Sequence, residues 1–162
     1  DFLSSSFLLV FGICALIVGS GFLLHELAHK FLAQRYGCWA EFRADNKMLL
    51  FMIAVSFFGF IFAAPGGVLI HGTLTRERHG KIAFAGPLVN LLFAVLFFIF
   101  IFIGITHPLV TFGLRINSWL AFFNLLPVWQ FDGLQVLRWH KGIYTLAIIF
   151  AAFLAFFGSF TL

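Results

Sequence analysis

The chain of 162 residues is 62% hydrophobic and only 10% charged. Water-soluble domains carry about 25% charged residues, so this composition excludes a soluble globular domain and predicts several spans through a lipid bilayer. The net charge of +4 is small and scattered, so no nucleic-acid partner is expected and the basic residues are better interpreted as topology signals.

Four stretches are apolar enough to cross a bilayer, whose hydrocarbon core needs about 20 apolar residues. The first is uncharged from Phe7 to Leu24, and its helix is expected to continue to about Tyr36, where Gly37 can end it. The others cover residues 88–105, 109–129 and 143–162. We therefore predict an all-α polytopic membrane protein with about four transmembrane helices, forming a single integral-membrane domain over residues 1–162.

Residues 48–70 are also uncharged, but Pro65-Gly66-Gly67 divides them into a short apolar helix and a short extended piece. Cytoplasmic loops concentrate Lys and Arg. If this segment only dips into the membrane, nine basic residues lie on the cytoplasmic side: Lys30, Arg35, Arg43, Lys47, Arg76, Arg78, Lys81, Arg138 and Lys141. We therefore predict a re-entrant segment over residues 48–74. Irregular backbone at that depth must be satisfied by protein or by a water-filled cavity, so this segment is expected to border the functional cavity.

The first predicted helix contains His25-Glu26-Leu27-Ala28-His29, an H-E-x-x-H sequence. Residues four apart share one face of a helix, so both imidazoles can bind one metal ion while Glu26 is close enough to handle the proton of a water molecule. The plain alternative is a coincidental pair of hydrogen-bonded histidines. Ionisable residues inside a membrane are costly and usually mark functional sites, which favours the metal site.

A zinc ion that catalyses hydrolysis needs three protein ligands and one open position for water. Depth favours Asp132 as the third ligand. His25 is expected about 15 Å inward of Arg35, and Asp132 about 9 Å inward of Arg138, at a rise of about 1.5 Å per helical residue. His71, in the predicted re-entrant segment, is the reserve candidate.

Asn90 is expected at a similar level, about 13 Å inward of Lys81 by helical rise. Its amide could donate a hydrogen bond to the oxyanion of the reaction or to the substrate backbone, which would make Asn90 catalytic. Alternatively, it could bond a neighbouring helix, as buried amides in membranes do. Pro127 and Gly133 flank Asp132 and are expected to unwind the helix there.

These motifs together resemble the site-2 protease family of intramembrane zinc metalloproteases, in a compact version without PDZ or CBS domains. The resemblance covers residues 20–140. It is carried by the H-E-x-x-H sequence, by Gly86-Pro87-Leu88-Val89-Asn90, and by Asn124-Leu125-Leu126-Pro127 leading to Asp132-Gly133. It implies that His25, His29 and Asp132 bind one zinc ion per chain and that Glu26 is the catalytic base. The family often has a second proline shortly before the Asp-Gly pair, where this chain reads Pro127-Val128-Trp129-Gln130-Phe131.

The resemblance also implies regulated intramembrane proteolysis, in which a peptide bond within or next to a transmembrane helix of a single-pass substrate is hydrolysed. The site is expected toward the cytoplasmic side of a prokaryotic inner membrane. The alternative is a metal-ion or proton transporter, because intramembrane His and Asp also line ion pathways. Transporters usually have repeated halves, which the sequence lacks, and they do not need the general base Glu26.

Overall fold

The computed structural model describes residues 4–44, 46, 50, 54, 66–128 and 131–160. The described residues form five helices and two strands, in this order: α1 (Ser5–Arg35), β1 (Trp39–Ala44), β2 (Gly66–His71), α2 (Arg76–Phe102), α3 (Pro108–Asn124), α4 (Asp132–Trp139) and α5 (Lys141–Phe160). Within the described ranges, α1, α2 and α5 are long and apolar enough to cross a membrane. The protein is therefore an all-α membrane protein with one small pair of strands.

The predicted span over residues 109–129 ends earlier than expected. Helix α3 has 17 residues and ends at Asn124, so its length of about 26 Å is at the short limit for a spanning helix. A loop through Pro127 follows, and Asp132 begins the separate helix α4. The expected unwinding is confirmed. A Cβ on Gly133 would collide with the Leu125 carbonyl group, so glycine is needed where α4 begins against the end of α3.

The end of α1 agrees with the sequence prediction. Gly37 has a φ of 79°, a left-handed conformation that glycine adopts without a steric cost. Its N–H donates to the Gln34 carbonyl at 2.9 Å, and the Cys38 N–H donates to the Ala33 carbonyl at 3.1 Å. This pair of bonds is a Schellman motif, which satisfies carbonyls at the helix end and turns the chain into β1.

The two strands form an antiparallel pair in which Trp39 lies opposite His71 and Ala44 opposite Gly66. The predicted extended piece is therefore confirmed as β2, whereas its partner β1 was not predicted. The pair packs onto the membrane helices through a small cluster of buried residues: Ala33, Cys38, Ala40 and Ile82. Most of the short helix predicted before Pro65 lies outside the described residues. The prediction that this helix is re-entrant falls on the same residues.

The larger core lies between α2, α3 and α5. Its buried residues are mainly alanine and leucine: Leu91, Ala94, Leu114, Ala121, Leu125, Ala147, Ala151 and Leu154. Small side chains allow membrane helices to approach closely. Large hydrophobic side chains instead lie on the outer surface, where Phe102 is 83% and Phe160 84% exposed. Such a surface suits lipid, since a soluble protein rarely exposes apolar patches of that extent.

Candidate metal centre

The inward face of α1 carries the H-E-x-x-H residues. His25, Glu26 and His29 are all buried, although most of the helix is exposed. The centroids of the two imidazole rings are 4.7 Å apart, as expected for side chains one helical turn apart. The local helix period therefore brings both histidines to one point on the inner face.

Asp132, the first residue of α4, reaches this same point from the other end of the chain. Its Oδ2 atom lies 3.3 Å from His25 Nε2 and 3.2 Å from His29 Nε2. Among the residues that the structure describes, these three form the group that could hold a metal ion, with all ligand atoms within 4.8 Å of one another. His71, the reserve candidate, lies exposed at the end of β2 and is not part of the group.

The second nitrogen of each imidazole is held by an acceptor behind the site. His25 Nδ1–H donates to Asn90 Oδ1 at 2.6 Å, and His29 Nδ1–H donates to the Ile82 carbonyl at 2.7 Å. Because carbonyl oxygens only accept hydrogen bonds, these contacts place the proton of a neutral imidazole on Nδ1. Both Nε2 lone pairs are then directed toward Asp132, which is the arrangement that metal-binding histidines need.

The distances from Asp132 to the two histidines also match the size of a zinc ion. Nitrogen and oxygen donors lie about 2.0–2.2 Å from tetrahedral zinc, so two donors bound to the same ion are about 3.3–3.6 Å apart. The two distances from Asp132 Oδ2 agree with this separation. Two imidazoles and one carboxylate are also the donor set of a known class of hydrolytic zinc site, which leaves a fourth position open.

Gly86 on α2 leaves the space in which an ion could lie. A Cβ at this position would come within 2.6 Å of His25 Nε2 and still closer to His29 Nε2. Any side chain at residue 86 would therefore occupy the region between the two ligand nitrogens. In the sequence, Gly86 stands out only as part of a motif, and its steric role becomes visible only when α2 is packed against α1.

Asn90 is completely buried and connects three helices. Besides accepting from His25, its amide group donates to the Gly21 carbonyl and to Asn117 Oδ1, both at 3.1 Å. This is the helix-bonding alternative that the sequence left open, combined with a contact to a histidine of the candidate metal group. Donation to a substrate oxyanion, the other predicted role of Asn90, would require one of these two bonds to break.

Asn117 on α3 was missed by the sequence analysis. It is 2% exposed, and its amide group donates to the Gly113 carbonyl at 2.9 Å while its Oδ1 accepts from Asn90. The signal that could have identified Asn117 is its position within a predicted apolar span. Polar side chains inside a membrane normally have hydrogen-bond partners on other helices.

Glu26 faces the same centre, and β2 lies beside it. The backbone N–H of Val68 lies close enough to the Glu26 carboxylate to interact with it electrostatically, as do His25, His29 and Asp132. The strand pair thus borders the site, as was expected for the segment that contains β2. The arrangement combines a metal-ligand group with an adjacent carboxylate, which is the combination required for metal-assisted hydrolysis.

The fold and the site together define a membrane protein with a hydrolytic type of zinc centre, and comparison with known proteins gives its family. The chain is 45% identical over 145 residues to a Methanocaldococcus jannaschii protein named "Putative zinc metalloprotease", a match that covers 86% of this chain and 76% of that protein. It is 32% identical over 120 residues to a second protein of that organism, named "Zinc metalloprotease", covering 72% of this chain and 30% of the relative. No family model matches the chain, and no solved structure matches it.

The chain therefore belongs to this family of zinc metalloproteases. Zinc is its metal cofactor, in agreement with the group formed by His25, His29 and Asp132.

Proposed function

We propose that this zinc metalloprotease is an intramembrane protease of the site-2 class, which hydrolyses a peptide bond within or next to a transmembrane helix of a single-pass membrane protein. The observation that carries the proposal is the burial of the H-E-x-x-H residues on α1, a helix of 31 residues that is apolar enough to cross a membrane. His25 lies about 15 Å along this helix from Arg35. A substrate must therefore present its peptide bond below the membrane surface.

Each residue of the centre has a distinct role in this proposal. A zinc ion bound here would supply Lewis-acid chemistry, polarising the scissile carbonyl and lowering the pKa of water toward about 7. Glu26 accepts the proton of the attacking water and later donates it to the leaving amine. His25, His29 and Asp132 hold the metal. Asn90 and the Ile82 carbonyl orient the two imidazole rings through their Nδ1 atoms.

Strand β2 is well placed to hold the substrate backbone. It pairs with β1 along one edge, and in the described part of the chain no strand covers its other edge. An unwound substrate segment could add to this edge by main-chain hydrogen bonds. Because Val68 on β2 contacts Glu26, a peptide held there would lie beside the general base.

We also propose that the site faces the cytoplasmic side of a prokaryotic inner membrane. The support is the distribution of the nine lysines and arginines that flank the predicted spans, because cytoplasmic loops of membrane proteins are enriched in these residues. Protease protection of tags at the two chain ends in sealed inverted vesicles tests this orientation.

The test of the proposed function uses the purified protein in proteoliposomes with a set of single-pass reporter helices that carry a different tag at each end. We expect the wild-type protein to cut at least one reporter, with mass spectrometry locating the cut in or next to the apolar helix. Glu26→Gln should abolish cleavage while zinc content is unchanged, because Glu26 is not among the metal ligands. Cleavage that occurs only in soluble peptides would contradict the proposal.

The same vesicles test the transporter alternative. A zinc-sensitive dye inside the vesicles would report ion uptake, and a pH-sensitive dye would report proton movement. We expect neither signal to exceed that of empty vesicles. Ion uptake by the wild-type protein together with intact reporters would favour transport over proteolysis.

A further inference from the structure

A second polar site lies away from the metal centre, between the beginning of α2 and the end of α4. It is a cavity of about 470 Å³ lined by Arg76, His79, Gln135 and Arg138. All four side chains can donate hydrogen bonds, and two of them carry a permanent positive charge. None of the described residues that line the cavity is a carboxylate, so its chemistry is that of an anion site.

The two guanidinium groups lack an acidic partner in the described part of the chain. The carboxylates that form ion pairs there are Asp132 at the metal centre and Glu77, which binds Lys81 at 2.5 Å. Glu77 follows Arg76 directly in sequence, yet it is engaged with Lys81 instead. Two uncompensated arginines within one cavity create a positive potential that attracts an anion.

A hydrogen bond from a side chain to the backbone connects these two arginines. Arg76 Nε donates a hydrogen bond to the Arg138 carbonyl oxygen, which joins the start of α2 to the end of α4. Close packing continues at Gly80, where a Cβ would collide with the Trp139 side chain. Arg76 lines the cavity, and the planar pair of Nη donors on a guanidinium group matches two phosphate oxygens.

The length of α2 supports a position of this cavity at the level of the lipid headgroups. Helix α2 has 27 residues and is about 40 Å long, which exceeds the hydrocarbon core of about 30 Å. Arg76 is its first residue and lies about 21 Å along the axis from Asn90, the residue that contacts the metal centre. Basic pockets between membrane helices at this level are suited to anionic headgroups.

We infer that the cavity lined by Arg76, His79, Gln135 and Arg138 binds the phosphate group of an anionic lipid. Asp132 begins the same short helix whose last turn contains Arg138. A phosphate held by both arginines therefore links α4 to α2 and keeps Asp132 beside the two histidines. Anionic lipid should stabilise the protein and slow its loss of zinc, whether or not a substrate is present.

The experiment compares lipid nanodiscs of phosphatidylglycerol with nanodiscs of phosphatidylcholine. For wild type we expect the Tm to be higher in phosphatidylglycerol by about 3 °C or more, and zinc loss to a chelator to be slower. Arg76→Gln and Arg138→Gln should each remove most of the difference between the two lipids. Arg78→Gln is the matched control, because Arg78 lies over the Tyr36 ring at 5.3 Å and does not line the cavity.

Each variant is compared with itself in the two lipids, so a lower basal stability does not hide the effect. Arg138→Lys provides a second test, since it keeps the charge but loses the two-pronged donor and should retain part of the lipid response. An equal lipid response in wild type and in both glutamine variants would overturn the inference. A response lost equally in Arg78→Gln would show a general surface-charge effect and would also overturn it.

Inorganic phosphate in neutral detergent distinguishes the two sources of a phosphate group. Wild type stabilised by phosphatidylglycerol and only weakly by inorganic phosphate supports the lipid as the ligand. Stabilisation by inorganic phosphate that is lost in Arg138→Gln, with no difference between the two lipids, would keep the anion site but overturn the lipid assignment.

Discussion

The Asn90 Oδ1 atom lies 2.6 Å from His25 Nδ1, although the two residues are 65 positions apart in the sequence. The Asn90 amide nitrogen is fixed on its other side by Gly21 and Asn117, so the oxygen faces the imidazole. One buried side chain thus determines which nitrogen of His25 is available for zinc. The orientation of this candidate metal ligand depends on the packing of α1, α2 and α3.

Replacing Asn90 by leucine should weaken zinc binding by about 10–100-fold, the usual cost of losing a hydrogen-bond partner of a metal ligand. The leucine side chain has a similar size but cannot accept from His25 Nδ1–H. Zinc affinity is measured by competition with a chromophoric chelator. Asn90→Asp, which keeps an acceptor for His25, should retain more affinity than Asn90→Leu. Equal affinity in wild type and Asn90→Leu would contradict this role.

Asn117→Ala should lower the free energy of unfolding by about 1 kcal/mol, because hydrogen bonds between membrane helices contribute about this amount. The effect should be strongly non-additive with Asn90→Ala, since the two amides bond each other. Denaturant unfolding of both single variants and the double variant gives the coupling energy. Asn124→Ala is the control, because the Asn124 amide donates to the Leu120 carbonyl within its own helix. Additive effects of the Asn90 and Asn117 substitutions would contradict a hydrogen-bond network between the two amides.

Gly86→Ala should reduce zinc content to well below one ion per chain, because the new Cβ lies between the two histidine nitrogens. Helix content measured by circular dichroism should stay close to that of wild type. The matched control is Gly12→Ala on α1, where a Cβ meets no atom within 4 Å. Zinc binding by Gly86→Ala as tight as that by Gly12→Ala would contradict a metal site beside Gly86.

Gly133→Ala should also impair zinc binding, but by moving a ligand rather than by filling the site. A Cβ at residue 133 would collide with the Leu125 carbonyl, so the start of α4 and its Asp132 must shift. We expect lower zinc affinity together with a lower Tm, whereas Gly67→Ala, which meets no atom within 4 Å, should change neither. Wild-type values for Gly133→Ala would show that the loop adapts without moving Asp132.

Local sequence patterns were sufficient for much of the site. The pairing of His25 with His29 follows from the helix period, and the end of α1 follows from Gly37. Depth favoured Asp132 as the third ligand and left His71 in reserve, because the membrane limits which distant residues reach the same level. The unwinding around Pro127 was also predictable from residue type.

The remaining features depend on how distant elements pack. Strand β1 was not predicted because Glu41 and Arg43 give it a polar, exposed pattern typical of a loop, and it becomes a strand only through pairing with β2. The carbonyl that holds His29 belongs to Ile82, and a backbone group has no signature in the residue type. The space beside Gly86 likewise exists only between two packed helices.

The most direct measurement is the zinc content of the purified wild-type protein and of Asp132→Ala, with His71→Ala as the matched control and helix content as the check on folding. A centre formed by His25, His29 and Asp132 predicts close to one zinc ion in wild type and His71→Ala, and a sharply lower value in Asp132→Ala. Undiminished zinc in Asp132→Ala, or its loss in His71→Ala, would contradict the three-residue centre.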